Sequence, residues 1–183
     1  PTHFLSHAWL YKFLNLVEAL RSFVESQPEG SAPVFFWFDC FAIDEHATQS
    51  LPREWWGTTF REAIGLIGNT VMMISPWSDP EPLRRAWCLW ELFCTESVGA
   101  PFSVCLGPAE AAAFEATILA GGFEKILEAF AAIDVAQAEA GSAEDKAMIM
   151  EQARRGRAGG AERDGGGHAA AVVRGVRGAA RAA

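Results

Sequence analysis

Apolar positions along the chain change their period several times, and each change marks an element. His3-Phe4-Leu5-Ser6 is a short apolar run ending at polar residues, the profile of a buried strand. From Tyr11 to Glu25 the period becomes helical: Phe13, Leu16, Val17, Leu20, Phe23 and Val24 recur at helical spacing, with Lys12, Glu18, Arg21 and Glu25 on other faces. Gln27 to Pro33 carries Pro, Gly and Ser, which is loop chemistry. Val34-Phe35-Phe36-Trp37-Phe38 is β-branched or aromatic throughout and closes at Asp39, which predicts a strand in the middle of a covered, mostly parallel sheet. Residues 40–57 lack a clear period and predict a long loop ahead of a helix from about Thr58 to Ile67, stopped by Gly68-Asn69. Val71-Met72-Met73-Ile74 predicts a third strand, ending at Ser75-Pro76. Asp79-Pro80 offers an N-cap and a first-turn Pro for a helix running to Ser97. Phe102 to Leu106 predicts a fourth strand. Helices follow at 109–119 and 122–132, split by Gly121-Gly122, and again at 143–153, with Ile133-Asp134-Val135 as the candidate fifth strand.

Strand and helix in alternation, with short links, predict an α/β fold around a parallel sheet. Crossovers in such sheets are right-handed, and ligands bind beyond the carboxyl ends of the strands. Here those ends carry Ser6-His7-Ala8-Trp9, Asp39 and Ser75.

Composition then divides the chain in two. Over 183 residues the net charge is −8, but residues 1–150 hold 8 basic against 20 acidic residues and residues 151–183 hold 7 against 3. The acidic body argues against nucleic acid and anionic lipid as partners. The final segment, 151–183, holds ten Ala, eight Gly and seven Arg with no Leu, Ile, Phe or Trp, and is expected to be a disordered tail or an artefact of the reading frame. Before it, 50% apolar and 11% aromatic residues in the whole chain supply one core of ordinary size. Apolar runs are too short to span a membrane, no signal peptide is evident, and the chain reads as a piece of a longer cytoplasmic protein. Cys40, Cys88, Cys94 and Cys105 show neither a C-x-x-C pair nor a secreted disulfide rhythm, so they read as reduced thiols.

Several chemistries are set aside by absent motifs. There is no phosphate loop and no G-x-S-x-G, and His3, His7, His46 and His168 lack metal-ligand spacing, so no metal site is expected. What stands out is Arg84-Arg85-Ala86-Trp87-Cys88-Leu89-Trp90-Glu91-Leu92. On one continuous helix Leu83, Trp87, Trp90 and Cys94 form a stripe, with Glu91 one turn after Trp87. A carboxylate among such side chains is desolvated and gains proton affinity, as catalytic acids and bases do. The more ordinary outcome of the same spacing is a solvated Glu91 paired with Arg84.

Phe4-Leu5-Ser6-His7-Ala8 resembles the opening strand motif, F-[IL]-S-[HY], of Toll/interleukin-1 receptor (TIR) domains. Trp87-Cys88-Leu89-Trp90-Glu91-Leu92 is similar to the W-C-x-x-E-L helix motif of plant and bacterial members. With Trp37-Phe38-Asp39 and Ser75-Pro76-Trp77, the pattern over about residues 2–107 resembles a divergent TIR-like branch of algal and protist type, with a helical extension over about 108–150. The resemblance implies a flavodoxin-like three-layer fold with four to five parallel strands in the order 2-1-3-4-5 and C-terminal helices. It implies self-association and contact with other TIR-like or signalling proteins, and either a scaffold role or cleavage of NAD⁺ at the nicotinamide–ribose bond. NAD⁺ is then substrate, no cofactor is needed, and Glu91 is the key carboxylate by position. Ser6, His7, Ala8, Trp9, Asp39, Ser75 and Trp87 are the expected substrate-binding residues, with Trp9 or Trp87 stacking on a ring. In the family the loop from Phe41 to Trp56 gates the site and meets neighbouring protomers; here Trp55-Trp56 either caps the core or forms a docking pair.

Overall fold

The structure, a computed structural model, describes residues 1–44, 52–131 and 137–159. Its centre is a sheet of four parallel strands in the order β2-β1-β3-β4. They are β1 (His3–Ser6), β2 (Phe36–Trp37), β3 (Thr70–Met73) and β4 (Phe102–Cys105). Side chains alternate across the pleat, so Leu5, Val71 and Met73 face one way and pack with Leu16 and Ala19 of α1 (Phe13–Glu25). Phe4 faces the other way, toward Ile64 of α3 (Arg53–Ile67) and Trp90 and Cys94 of α4 (Ala86–Val98). α5 (Pro108–Leu119) and α6 (Phe123–Ala131) bring Phe114 and Ile126 against Met72, Leu92 and Val104. The result is the expected α/β, flavodoxin-like three-layer fold, and among the described residues no helix is long and apolar enough to cross a membrane.

Four expectations change. First, β2 is two residues long and lies at the sheet edge, as the strand order implied by the resemblance has it and against the central place its own apolar run predicts, and Phe35 is left 61% exposed. Its apolar side chains serve ring contacts instead of a central ladder: Trp37 stacks on Phe4 with centroids 4.8 Å apart, and Phe36 lies near His3 and Phe23. After it a short α2 (Asp39–Ala42) forms where a loop is expected. Second, α3 starts at Arg53, five residues ahead of Thr58, directly after Pro52. Pro cannot continue a helix backwards but tolerates a helix start. Trp56 is half-buried and leans on Phe60 at 6.0 Å, while Trp55 is exposed.

Third, the helix expected from Asp79 to Ser97 is broken. A short 3-10 helix (Glu81–Arg84) is followed by extended backbone at Arg85, with φ −105° and ψ 122°, before α4 begins. Here the chain forms an isolated parallel bridge to Glu139: the Ala86 amide donates to the Glu139 carbonyl at 2.7 Å, and the Glu139 amide to the Arg84 carbonyl at 2.7 Å. Leu83 therefore leaves the stripe of Trp87, Trp90 and Cys94, and Asp79 pairs with Arg84 at 2.7 Å instead of capping a helix. Fourth, α7 (Ala143–Gly159) runs past Met150, so the Ala/Gly/Arg-rich segment begins in a helix. Alanine and arginine are good helix formers, which is enough to extend a helix already docked on the core. His46, the candidate fifth strand at 133–135 and residues 160–183 lie outside the described residues. Gly68 and Gly99 close α3 and α4 with φ of 83° and 70°, the left-handed conformation that glycine adopts without a Cβ penalty.

Candidate functional site

The carboxyl end of β1 and the inner face of α4 meet at one polar contact. Ser6 closes β1 on the face that looks toward α4, and its hydroxyl donates to Glu91 Oε2 at 2.5 Å. Glu91 is 9% exposed, so the solvated ion pair with Arg84 does not form. The polar contact extends along α4. Thr95 Oγ1 donates to the Glu91 carbonyl at 2.8 Å and shares a hydrogen bond of 2.9 Å with Thr70 Oγ1 on β3. Ser6 thus holds the carboxyl group itself, while Thr95 and Thr70 tie the backbone of the same helix turn to β3.

Burial pushes the Glu91 carboxyl up to about 8; the Ser6 hydroxyl bond pulls against this and the nearby Asp39 charge adds to it. Burial also lowers the His7 imidazole below its ordinary range, opposed by Asp39, whose Oδ1 is 3.8 Å from His7 Nδ1. At neutral pH His7 is neutral and Glu91 largely protonated. Asp39 opens α2 and is held on both oxygens, by the Trp9 indole N–H at 2.7 Å and by the Cys40 amide at 2.8 Å. It reaches the site because β1 and β2 are hydrogen-bonded neighbours, with Phe4 opposite Trp37, so their ends emerge side by side.

Of the expected site residues, Ser6, His7, Asp39 and Glu91 come together, with Trp9 joined through Asp39. Ala8 is buried beneath them. Ser75, at the end of β3, has its backbone engaged by Tyr11, whose hydroxyl donates to the Ser75 carbonyl at 2.7 Å and accepts from its amide at 2.8 Å. The Trp87 ring lies against Phe60 at 5.7 Å, inside the contact of α3 with α4. Trp9 is 63% exposed, whereas Trp87 is half-buried. Sequence reasoning missed three contributors. Tyr11 ties the β3 end to the start of α1, the Cys88 thiol donates to the His7 carbonyl at 3.3 Å, and Cys40 stands beside His7 and Asp39. None of them carries a local spacing signal, because Ser75 is distant in sequence from Tyr11, and His7 from both Cys88 and Cys40.

A hydroxyl, a neutral imidazole, a carboxylate and a carboxyl group poised near neutral pH make a set able to take or give a proton and to steady a developing positive charge. Comparison of the chain with protein-family models, with curated proteins and with solved structures returned no match. Fold and site together define an α/β protein with a buried, hydroxyl-tethered carboxyl group at the carboxyl end of its parallel sheet.

Proposed function

We propose that the chain is a TIR-like signalling domain that cleaves NAD⁺ at the nicotinamide–ribose bond after self-association, with Glu91 as the key carboxylate. One observation carries the reading. Glu91, the residue marked by the W-C-x-x-E-L resemblance, is buried beside Ser6 of the F-L-S-H resemblance at the carboxyl end of the sheet, where open α/β folds bind ligands. Two motifs separated by 85 positions converge on one hydrogen bond.

Nicotinamide departs from a cationic ring as a neutral molecule, so its loss needs no general acid. A carboxylate on the ribose face steadies the oxocarbenium-like centre and orients the ribose hydroxyls, as in one half of a glycosidase site. In the resting site Glu91 is protonated; the positive nicotinamide ring favours its ionised form once bound. Trp9 offers the face on which a base stacks, and Asp39 orients Trp9. Because residues 1–150 carry an excess of acidic groups, binding of an anionic dinucleotide rests on these local contacts.

The test is nicotinamide release from NAD⁺ by concentrated or forcibly clustered protein, compared with Glu91→Ala. Release by the wild type and its loss in the variant is the expected result. Equal release by both sinks the role of Glu91, and none from the wild type sinks the enzyme.

A second reading, a non-catalytic adaptor for other TIR-like or signalling proteins, is favoured by the apolar surface beside the site. Leu10, Leu14 and Phe41 are 72%, 72% and 77% exposed, and Phe41 packs edge-on to Phe38 and Phe13. The same clustering assay separates the two, since an adaptor associates and releases nothing.

A further inference from the structure

We propose that His7, Asp39 and Cys40 form a binding site for a zinc-class divalent cation at the carboxyl edge of the sheet. One ligand atom from each residue lies within 4.8 Å of the other two. The ligands of a tetrahedral zinc ion sit roughly 2.0–2.3 Å from the metal, and hence about 3.3–3.8 Å from one another. For a nitrogen and an oxygen ligand that spacing is about 3.3–3.6 Å, so His7 Nδ1 and Asp39 Oδ1, at 3.8 Å, stand slightly too far apart, and a small rotation of the side chains closes the gap and brings in the thiol.

The scaffold fixes the three positions independently of any metal. His7 directly follows β1, while Asp39 and Cys40 open α2 one residue beyond Phe38, and the pairing of His3 with Phe36 and Phe4 with Trp37 sets the two strand ends side by side. The surroundings orient the ligands. Trp9 Nε1 holds Asp39 Oδ2 at 2.7 Å, the outer contact that aims a carboxylate at a metal. The His7 ring stands edge-on to Phe38, with centroids 4.9 Å apart and planes at 86°. Of the four cysteines Cys40 is the exposed one, so the ion has an entry path and its fourth position faces solvent.

The donor set chooses the metal. A thiolate with an imidazole and a carboxylate suits zinc, whereas magnesium and calcium take oxygen ligands. Three protein ligands leave one position for water or for a group of a bound molecule. The inference does not rest on the cleavage of NAD⁺, since Glu91 is not among the ligands.

The experiment loads the reduced, full-length chain with Co²⁺, whose bond to sulfur gives a charge-transfer band, and then displaces it with Zn²⁺. The wild type is expected to show the band, and Cys40→Ser, an exposed change that spares the core, to lose it. Asp39→Asn is expected to weaken Zn²⁺ binding at least about tenfold, as removing a ligand should exceed the loss from an outer contact. Glu91→Gln is expected to bind like the wild type, and circular dichroism confirms that each variant is folded. No band in the wild type, a band that survives in Cys40→Ser, undiminished affinity in Asp39→Asn, or lost binding in Glu91→Gln each overturns the site. Nicotinamide release plays no part in the readout, so the two hypotheses fail separately.

Discussion

Ser6 on the first strand donates a 2.5 Å hydrogen bond to the carboxyl group of Glu91 on α4, and both groups are buried. Removing the hydroxyl leaves a carboxyl oxygen without its partner. Ser6→Ala is therefore expected to cost about 1–3 kcal/mol of stability. It also moves the Glu91 pKa above about 8, because the bond favours the ionised form. Urea denaturation and a carboxyl-carbon NMR titration check the two effects.

Stability should fall as pH rises. The folded Glu91 holds its proton up to about 8, whereas the ordinary value is 4.5. Between those values the folded state binds more protons than the unfolded one, so unfolding becomes easier with increasing pH and levels off above about 8. Glu91→Gln removes this contribution. Its gain in unfolding free energy over the wild type should be smallest near pH 4.5 and largest near pH 8, with a ceiling of about a few kcal/mol, read from urea denaturation at each pH. A pH-independent difference between the two proteins would contradict the assignment.

Asp39 raises the proton affinity of both Glu91 and His7. Asp39→Asn should lower both, and any pH profile of nicotinamide release governed by Glu91 should move to lower pH. The same substitution takes away the charged acceptor of the Trp9 indole, so KM for NAD⁺ should rise if Trp9 stacks on the substrate.

Packing around α3 gives a contrast within a single helix. Ile64 is fully buried against Phe4 and Trp90, and Leu66 is 89% exposed. Ile64→Ala is expected to cost about 2–5 kcal/mol and Leu66→Ala less than about 0.5 kcal/mol, as read from denaturation midpoints.

Tyr11 bonds the Ser75 carbonyl and amide together, which closes the end of β3 onto the start of α1. Tyr11→Phe should destabilise the fold by about 1–3 kcal/mol and speed hydrogen exchange at the Ser75 amide more than at Val71 in mid-strand.

The sequence made the architecture legible wherever one period ran long enough to leave a single answer. α1, β1, β3 and β4 fall within a residue or two of their expected ends, because their apolar faces are continuous. Expectation failed where a distant segment decided local structure. Nothing near Arg85 announces that it will pair with Glu139, and that pairing breaks the helix expected from Asp79. Five aromatic or β-branched residues from Val34 to Phe38 suggested a central strand, yet sheet position is a tertiary property and β2 lies at the edge. For the site, the burial of Glu91 followed from its apolar neighbours only once α4 was docked against β1. Spacing alone favoured the solvated alternative. The cluster of His7, Asp39 and Cys40 has no linear motif because the end of β1 and the start of α2 supply it.

The pairing of residues 84–86 with Glu139 bears on where this folding unit stops. Ala138 and Ile149 sit in the same apolar cluster as Phe4 and Trp90, and the backbone entering α4 takes its hydrogen bonds from that late segment. The resemblance covers a core of about residues 2–107, with a helical extension over about 108–150. A chain shortened to that core would expose the outer side of the very helix that carries Glu91 and leave the Ala86 amide without its carbonyl. α7, the last helix among the described residues, thus covers part of the core, and a piece that ends before it is expected to be less stable.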